Sequence, residues 1–123
     1  MDKKIDCKKE KFIKILIVEL EDLDKDIKML IDECCDKHNH EQISDYVYLE
    51  NLAVLQNELF GVEGFIDAVK SINLDNFESV EVLINTLTNQ LKDRIREKGL
   101  VHSIILLVER KIKKVSLFVL EHV

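Results

Sequence analysis

The stretch that decides the fold is residues 16–34, LIVELEDLDKDIKMLIDEC. Its apolar side chains repeat at alternating intervals of four and three residues, at Leu16, Leu20, Leu23, Ile27, Leu30 and Cys34. This spacing places them on one face of an α-helix, whereas the apolar side chains of a half-buried strand recur at every second residue. The repeat therefore predicts a long first helix, over about residues 5–38.

Three further segments carry the same repeat and predict helices over about residues 45–72, 76–98 and 101–121. The connections between the four segments are short, and short connections place consecutive helices antiparallel. The sequence thus predicts an all-α protein, an antiparallel four-helix bundle with a long first helix. Its length predicts a single domain over residues 1–123.

Local signals predict where the helices begin and where they approach one another. Ser44 is the expected N-cap of the second helix. Asp75 and Glu78 resemble a capping box at the start of the third, with Asp75 in the cap position. Gly61 and Gly64 interrupt the second helix without shifting its repeat, so they predict a kink or a close helix crossing there.

Composition excludes several classes of protein. The 123 residues include no proline and three glycines, too few turn residues for a loop-rich β-sandwich. A hydrophobic content of 46% is too high for a disordered chain. The net charge of -6 makes nucleic acid an unexpected partner, although basic ends flank the acidic middle.

Cysteine usage and hydropathy bear on the compartment. The three cysteines, Cys7, Cys34 and Cys35, form no disulfide framework, because the count is odd and two are adjacent. A reducing cytoplasm suits free thiols best. No apolar run approaches the roughly 18 residues of a transmembrane helix. We therefore expect a cytoplasmic protein without a membrane span.

The four helices differ in length, and apolar residues exceed what one core needs. We expect the first dozen residues of the first helix to overhang the bundle, and the fourth helix is apolar on more than one side. Both features predict a surface for a second copy of the chain. The residues predicted to form it are Phe12, Ile13, Leu106, Leu107, Leu117, Phe118 and Leu120.

Two connections are expected at the same end of the bundle, where side chains able to do chemistry would collect. Cys34 and His38 lie one helical turn apart, and a thiolate with an imidazole suits zinc. A closed zinc site needs four ligands, and no second pair has the required spacing. The preferred interpretation is that Cys34 continues the core repeat and that no cofactor is bound.

The segment Arg96–His102, REKGLVH, supports an alternative. It resembles the motif of the HEPN superfamily, in which four to six residues separate an arginine from a histidine. That resemblance implies a small all-helical, metal-independent ribonuclease, with Arg96 stabilising phosphate charge and His102 acting as acid or base. Glu97 departs from the small polar residue that usually follows the arginine.

The basic run Arg110–Lys114 on the fourth helix is expected to approach the lysines of residues 3–14. Such a cluster could hold an acidic partner or anionic lipid, but more often it is a solvated face or pairs with acids on a neighbouring helix. Because no catalytic set is convincing and apolar surface is in surplus, the sequence favours a non-enzymatic interaction module. We expect an adaptor, inhibitor or accessory subunit that self-associates, most simply as a homodimer.

Overall fold

The computed structural model describes residues 3–98 and 103–123, with side chains for residues 7–97 and 103–123. This part of the chain is helical, without strands. Its four helices are α1, Lys3–Asn39; α2, Asp45–Lys70; α3, Val80–Lys98; and α4, Ser103–His122. The predicted all-α class and the long first helix are therefore confirmed. The predicted start of the fourth helix, at residue 101, lies outside the described residues.

The connection between α1 and α2 has well-defined helix ends. At the end of α1, the amide of Gln42 donates to the carbonyl of Lys37 over 2.8 Å, and that of Glu41 donates to His38 over 3.1 Å. These two bonds form a Schellman motif, in which Glu41 takes a left-handed conformation with φ of 58°. Ser44 then begins α2, because its hydroxyl accepts from the amide of Val47, as predicted.

The start of α3 differs from the prediction. Residues Leu74–Asn76 form one 3₁₀ turn, in which the side chain of Asn73 accepts from the amide of Asp75. The third helix begins four residues later than predicted. Its cap is Ser79, whose hydroxyl accepts from the amide of Val82 over 3.2 Å. The predicted capping box of Asp75 and Glu78 is therefore wrong, because Asp75 belongs to the 3₁₀ turn that precedes α3.

One hydrophobic core joins the four helices. Its fully buried side chains include five from the predicted repeats, Leu16, Leu20, Leu87, Leu91 and Val108, and four that the repeats did not include, Phe12, Phe65, Leu83 and Ile104. On α1 the core residues extend from Phe12 to Ile27, and on α2 they begin at Val62. Since α1 has 37 residues and α3 only 19, the shared core covers only part of α1.

The surplus length of α1 lies at its C-terminal end. The expectation that its first dozen residues overhang the bundle is wrong, because Phe12 has no exposed surface and Lys9 is 4% exposed. The ammonium of Lys9 donates to the carbonyls of Leu74 and Phe77 over 2.9 and 2.8 Å. These bonds hold the start of α1 against the connection between α2 and α3. Residues 32–54, here called the distal segment, therefore extend beyond the shared core.

The glycines of α2 allow a close approach without breaking the helix. The helix is continuous from Asp45 to Lys70. A Cβ atom on Gly64 would stand 2.6 Å from the guanidinium Nη2 of Arg94, so the arginine of α3 packs across the glycine. The contact is made by the end of a flexible side chain, so it does not establish the predicted close crossing of the two helices.

The observed cap of α3 can be tested against the predicted one. Replacing the hydroxyl in Ser79→Ala leaves the amide of Val82 without its acceptor and should lower the free energy of unfolding by about 1 kcal/mol. Asp75→Ala, the matched control, should change it by less than about 0.5 kcal/mol. Urea denaturation measures both. A larger loss in Asp75→Ala than in Ser79→Ala would contradict this assignment of the cap.

The contact of Lys9 predicts a larger effect. Lys9→Met keeps the apolar stem but removes the donor to two carbonyls, which should cost about 1.5–3 kcal/mol of stability because the donor is charged. Lys11→Met, at an exposed position two residues on, is the control and should be close to neutral. Thermal unfolding of the two variants supplies the comparison. Equal stabilities would show that the Lys9 bonds contribute nothing net.

Candidate functional site

Cys34 and His38 are engaged in packing within the distal segment. Cys34 is buried, and its thiol lies 3.9 Å from the carbonyl oxygen of Tyr48. The His38 ring stacks on the Tyr48 ring, with centroids 4.1 Å apart and planes 9° from parallel. Its Nε2 lies 2.6 Å from a carboxylate oxygen of Asp45. The imidazole of His38 is therefore held between Tyr48 and Asp45.

The neighbouring thiol takes part in the same packing. The Cys35 thiol lies 3.7 Å from the Tyr48 hydroxyl, and this hydrogen bond is the main cause that raises the pKa of Tyr48. Within residues 3–98 and 103–123, the structure has no group of three or more His, Cys, Asp or Glu side chains arranged to hold a metal ion. The cluster around Tyr48 joins the last turns of α1 to the first turns of α2.

The arginine of the HEPN-like motif lies on the surface. The Arg96 side chain is 78% exposed, and its guanidinium lies 3.6 Å from the carboxylate of Asp93, one turn earlier on α3. His102 lies outside the described residues, so the other half of the motif has no described geometry. The described half is an exposed ion pair within one helix.

The start of α4, at Ser103, lies away from the α1–α2 connection. The hydroxyl of Ser103, at the start of α4, is hydrogen-bonded to the carboxylate of Glu58. Ser44 precedes Glu58 by 14 residues, which is about 21 Å of helix at 1.5 Å per residue. The α1–α2 connection therefore lies well beyond the α3–α4 end of the bundle, and His38 is remote from Arg94 and Arg96.

The basic run on α4 meets an acid of α1. The carboxylate of Glu19 lies 2.6 Å from the Lys114 ammonium and 3.4 Å from that of Lys111. The hydrogen bond from Lys114 is the main reason that the pKa of Glu19 lies below its usual value, although partial burial acts in the opposite direction. Lys111 and Lys114 thus pair with a neighbouring helix, whereas Arg110 and Lys113 are exposed to solvent, and both outcomes are among those predicted.

The outer face of α4 carries an apolar stripe that the core does not use. Leu106, Leu117 and Leu120 are 53%, 52% and 42% exposed. With Arg110 and Lys113, they recur at intervals of four and three residues, so all five lie on one side of the helix. We call this set, residues 106, 110, 113, 117 and 120, the α4 stripe.

The other predicted interface residues are placed differently. Phe12 lies in the core, and Ile13 and Leu107 are half-buried against it. Phe118 is 48% exposed, but on a different side of α4 from Leu117, and its ring lies 5.2 Å from that of His122. Leu106, Leu117 and Leu120 are therefore the predicted residues that share one exposed face.

The structure shows a second exposed apolar stripe, on α2, that was not predicted from the sequence. Tyr46, Leu49 and Phe60 are 76%, 60% and 62% exposed, and Ala53 and Gln56 lie with them on the side of α2 away from the core. We call these five residues the α2 stripe. The signal was in the sequence, because residues 46, 49, 53, 56 and 60 repeat like the core positions. It was hidden by the stronger core repeat of the same helix.

A groove between α3 and α4 adjoins the α4 stripe. It encloses about 490 Å³, and its lining includes Ile84 and Thr88 from α3 and Leu106, Arg110 and Lys113 from α4. Within it, the ammonium of Lys92 stands 3.9 Å from the carboxylate of Glu109. The groove thus combines apolar side chains with exposed cations, a combination suited to a partially apolar, acidic partner.

Comparison of the chain with protein-family models, curated proteins and solved structures finds no match. The described helices also include none with the length and apolar character needed to cross a bilayer.

The pairing of Glu19 predicts a pH-dependent contribution to stability. Because its carboxyl pKa is lowered in the folded state, the stabilisation is complete above the unfolded pKa of about 4.3 and is lost as the pH falls through the folded pKa. Glu19→Gln should thus cost up to about 1 kcal/mol at pH 7 and almost nothing at strongly acid pH.

Denaturation of the Glu19→Gln variant at a series of pH values measures this difference. Glu21→Gln, at an exposed position of the same helix, is the control and should show a smaller cost at pH 7. A cost for Glu19→Gln that does not change with pH would contradict an electrostatic origin.

Proposed function

We propose that this protein is a non-enzymatic helical interaction module, an adaptor, inhibitor or accessory subunit, that self-associates. The observation that carries the proposal is the amount of apolar surface left over once the core is complete. Thirteen large hydrophobic side chains in the described residues are at least 40% exposed, and those on α2 and α4 include two ordered stripes. Scattered exposed hydrophobics are ordinary, but contiguous apolar surface is typical of interfaces.

The proposal includes an antiparallel arrangement of the helices. It is supported on α1 and α2 by two ion pairs, Lys28 with Glu63 and His38 with Asp45. Moving along α1 from Lys28 to His38, the partner on α2 moves backwards from Glu63 to Asp45. We also propose a cytoplasmic location, which is supported by the free thiols of Cys7, Cys34 and Cys35.

In such an arrangement, the side of a helix away from the core is open to a partner along its whole length. A helix that is covered on one side by the core and apolar on the other resembles one helix of an assembly whose second layer is missing. A homodimer is the simplest assembly that supplies that layer, since symmetric dimers are the most common oligomers.

Light scattering after size-exclusion chromatography tests self-association. We expect a mass of about twice the 14.4 kDa of one chain. Leu106→Glu/Leu117→Glu should reduce it to one chain, because two carboxylates would have to be buried in the interface. The control Val18→Glu/Val82→Glu changes two exposed apolar residues elsewhere and should leave the dimer intact.

Two outcomes would contradict the proposal. One is a monomer at concentrations up to about 0.1 mM, at which even weak association would be populated. The other is an RNA-cleaving activity of the wild-type chain that Arg96→Ala and His102→Ala remove. Circular dichroism should show the same helix content for every variant, so that loss of association is not mistaken for unfolding.

A further inference from the structure

The two exposed stripes are matched in extent. The α2 stripe spans residues 46–60 and the α4 stripe spans residues 106–120, so each covers 14 helical steps, or about 21 Å. Each stripe presents three large apolar side chains, from Tyr46, Leu49 and Phe60 on α2 and from Leu106, Leu117 and Leu120 on α4. Two such stripes are long enough to bury each other along four helical turns.

The surroundings of the two stripes have opposite charge. Helix α2 carries five carboxylates and a single lysine, Lys70, at its last residue. Of the five, Glu50 is exposed beside the α2 stripe, and Asp67 is exposed about two turns beyond Phe60, towards the C-terminal end of α2. Just beyond Phe60, α2 also contacts cations: Arg94 crosses Gly64, and the ammonium of Lys28 lies 3.6 Å from the carboxylate of Glu63.

Helix α4 has the reverse character. It carries four basic residues and two acids. Lys111 and Lys114 face α1, where both pair with Glu19, whereas Arg110 and Lys113 lie within the exposed α4 stripe. The nearest acid on the groove side, Glu109, stands 3.9 Å from Lys92. The α4 stripe is thus an apolar surface with two cations at its centre.

This charge distribution selects between the possible pairings of two copies. Packing α4 on α4 would place Arg110 and Lys113 of one copy against the same cations of the other. Packing α2 on α2 would bring two acidic surfaces together. Like charges facing each other across an interface cost several kcal/mol, whereas complementary surfaces steer association and fix its specificity.

We infer that the α2 stripe of one copy packs against the α4 stripe of a second copy, which brings Arg110 and Lys113 near the exposed Glu50. The inference rests on the self-association proposed above and specifies its interface. Because the two surfaces differ, the contact is heterologous, and each copy has one surface of each kind. The assembly closes as a reciprocal dimer or ring when the second pair of surfaces also meets, and otherwise extends as a chain.

A charge exchange between the two stripes tests this interface. The first variant, Arg110→Glu/Lys113→Glu, makes the α4 stripe acidic. The second, Glu50→Lys/Gln56→Lys, makes the α2 stripe basic. All four positions are exposed on helices and receive good helix formers, so the fold should be retained. The control Lys11→Glu/Lys25→Glu changes the net charge as much as the first variant, at exposed positions of α1.

Sedimentation velocity should show that each variant alone associates at least about tenfold more weakly than the wild type. An equimolar mixture of the two should associate as the wild type does, because each acidic surface again meets a basic one. The control should behave as the wild type. Raising the ionic strength from about 0.05 to 0.5 M should weaken wild-type association, since screening reduces the attraction.

Other results would overturn the inference in recognisable ways. If the second variant alone still self-associates, the interface is α4 on α4; if the first does, it is α2 on α2; and if both do, it lies elsewhere. A mixture that does not recover association also excludes the heterologous pairing. In these cases self-association itself stands, whereas a wild-type chain that is monomeric removes both proposals.

Discussion

The ammonium of Lys9 determines which part of the long first helix belongs to the bundle. By donating to the carbonyls of Leu74 and Phe77, it places the start of α1 beside the connection that leads into α3. From that point α1 and α3 run alongside the same core, which on α1 ends at Ile27. The remaining length of α1 must then extend past the end of α3. The position of the distal segment therefore follows from this contact together with the burial of Phe12, Leu16 and Leu20 in the core.

The core was predictable from the sequence because burial imposes the helical period directly on the residues. Leu16, Leu20, Leu23, Ile27 and Cys34 of the first repeat are buried as predicted, whereas Leu30, which lies beyond the shared core, is 48% exposed. Ser44 was predictable for a similar reason, since capping is a local interaction within four residues. At α3 two candidate caps compete, and Ser79 prevails because Asp75 is used in the 3₁₀ turn before it.

The end of α1 that projects could not be read from helix lengths alone. Unequal lengths predict an overhang, but its position is decided by a long-range contact, here between Lys9 and a connection 65 residues away. The same limit applies to the candidate sites. The two connections were expected at the same end of the bundle, which suggested that His38 and Arg96 lie close together. They are separated instead, because α2 rises about 21 Å between Ser44, near His38, and Glu58, near the start of α4. The α2 stripe was not predicted because it includes Ala53 and Gln56 and is therefore a weaker apolar repeat than the core repeat of the same helix.

The distal segment is expected to open separately from the shared core. Its residues pack mainly against each other, as Cys34 and His38 do with Tyr48, and not against the shared core. Because opening it would break mainly these local contacts, we expect its amide hydrogens to exchange at a lower free-energy cost than those beside Leu16 or Leu87. Tyr46, Leu49 and Ala53 of the α2 stripe belong to this distal segment. A second copy bound to the α2 stripe, as proposed above, would raise the free energy of this opening and would slow amide exchange in a region far from the core.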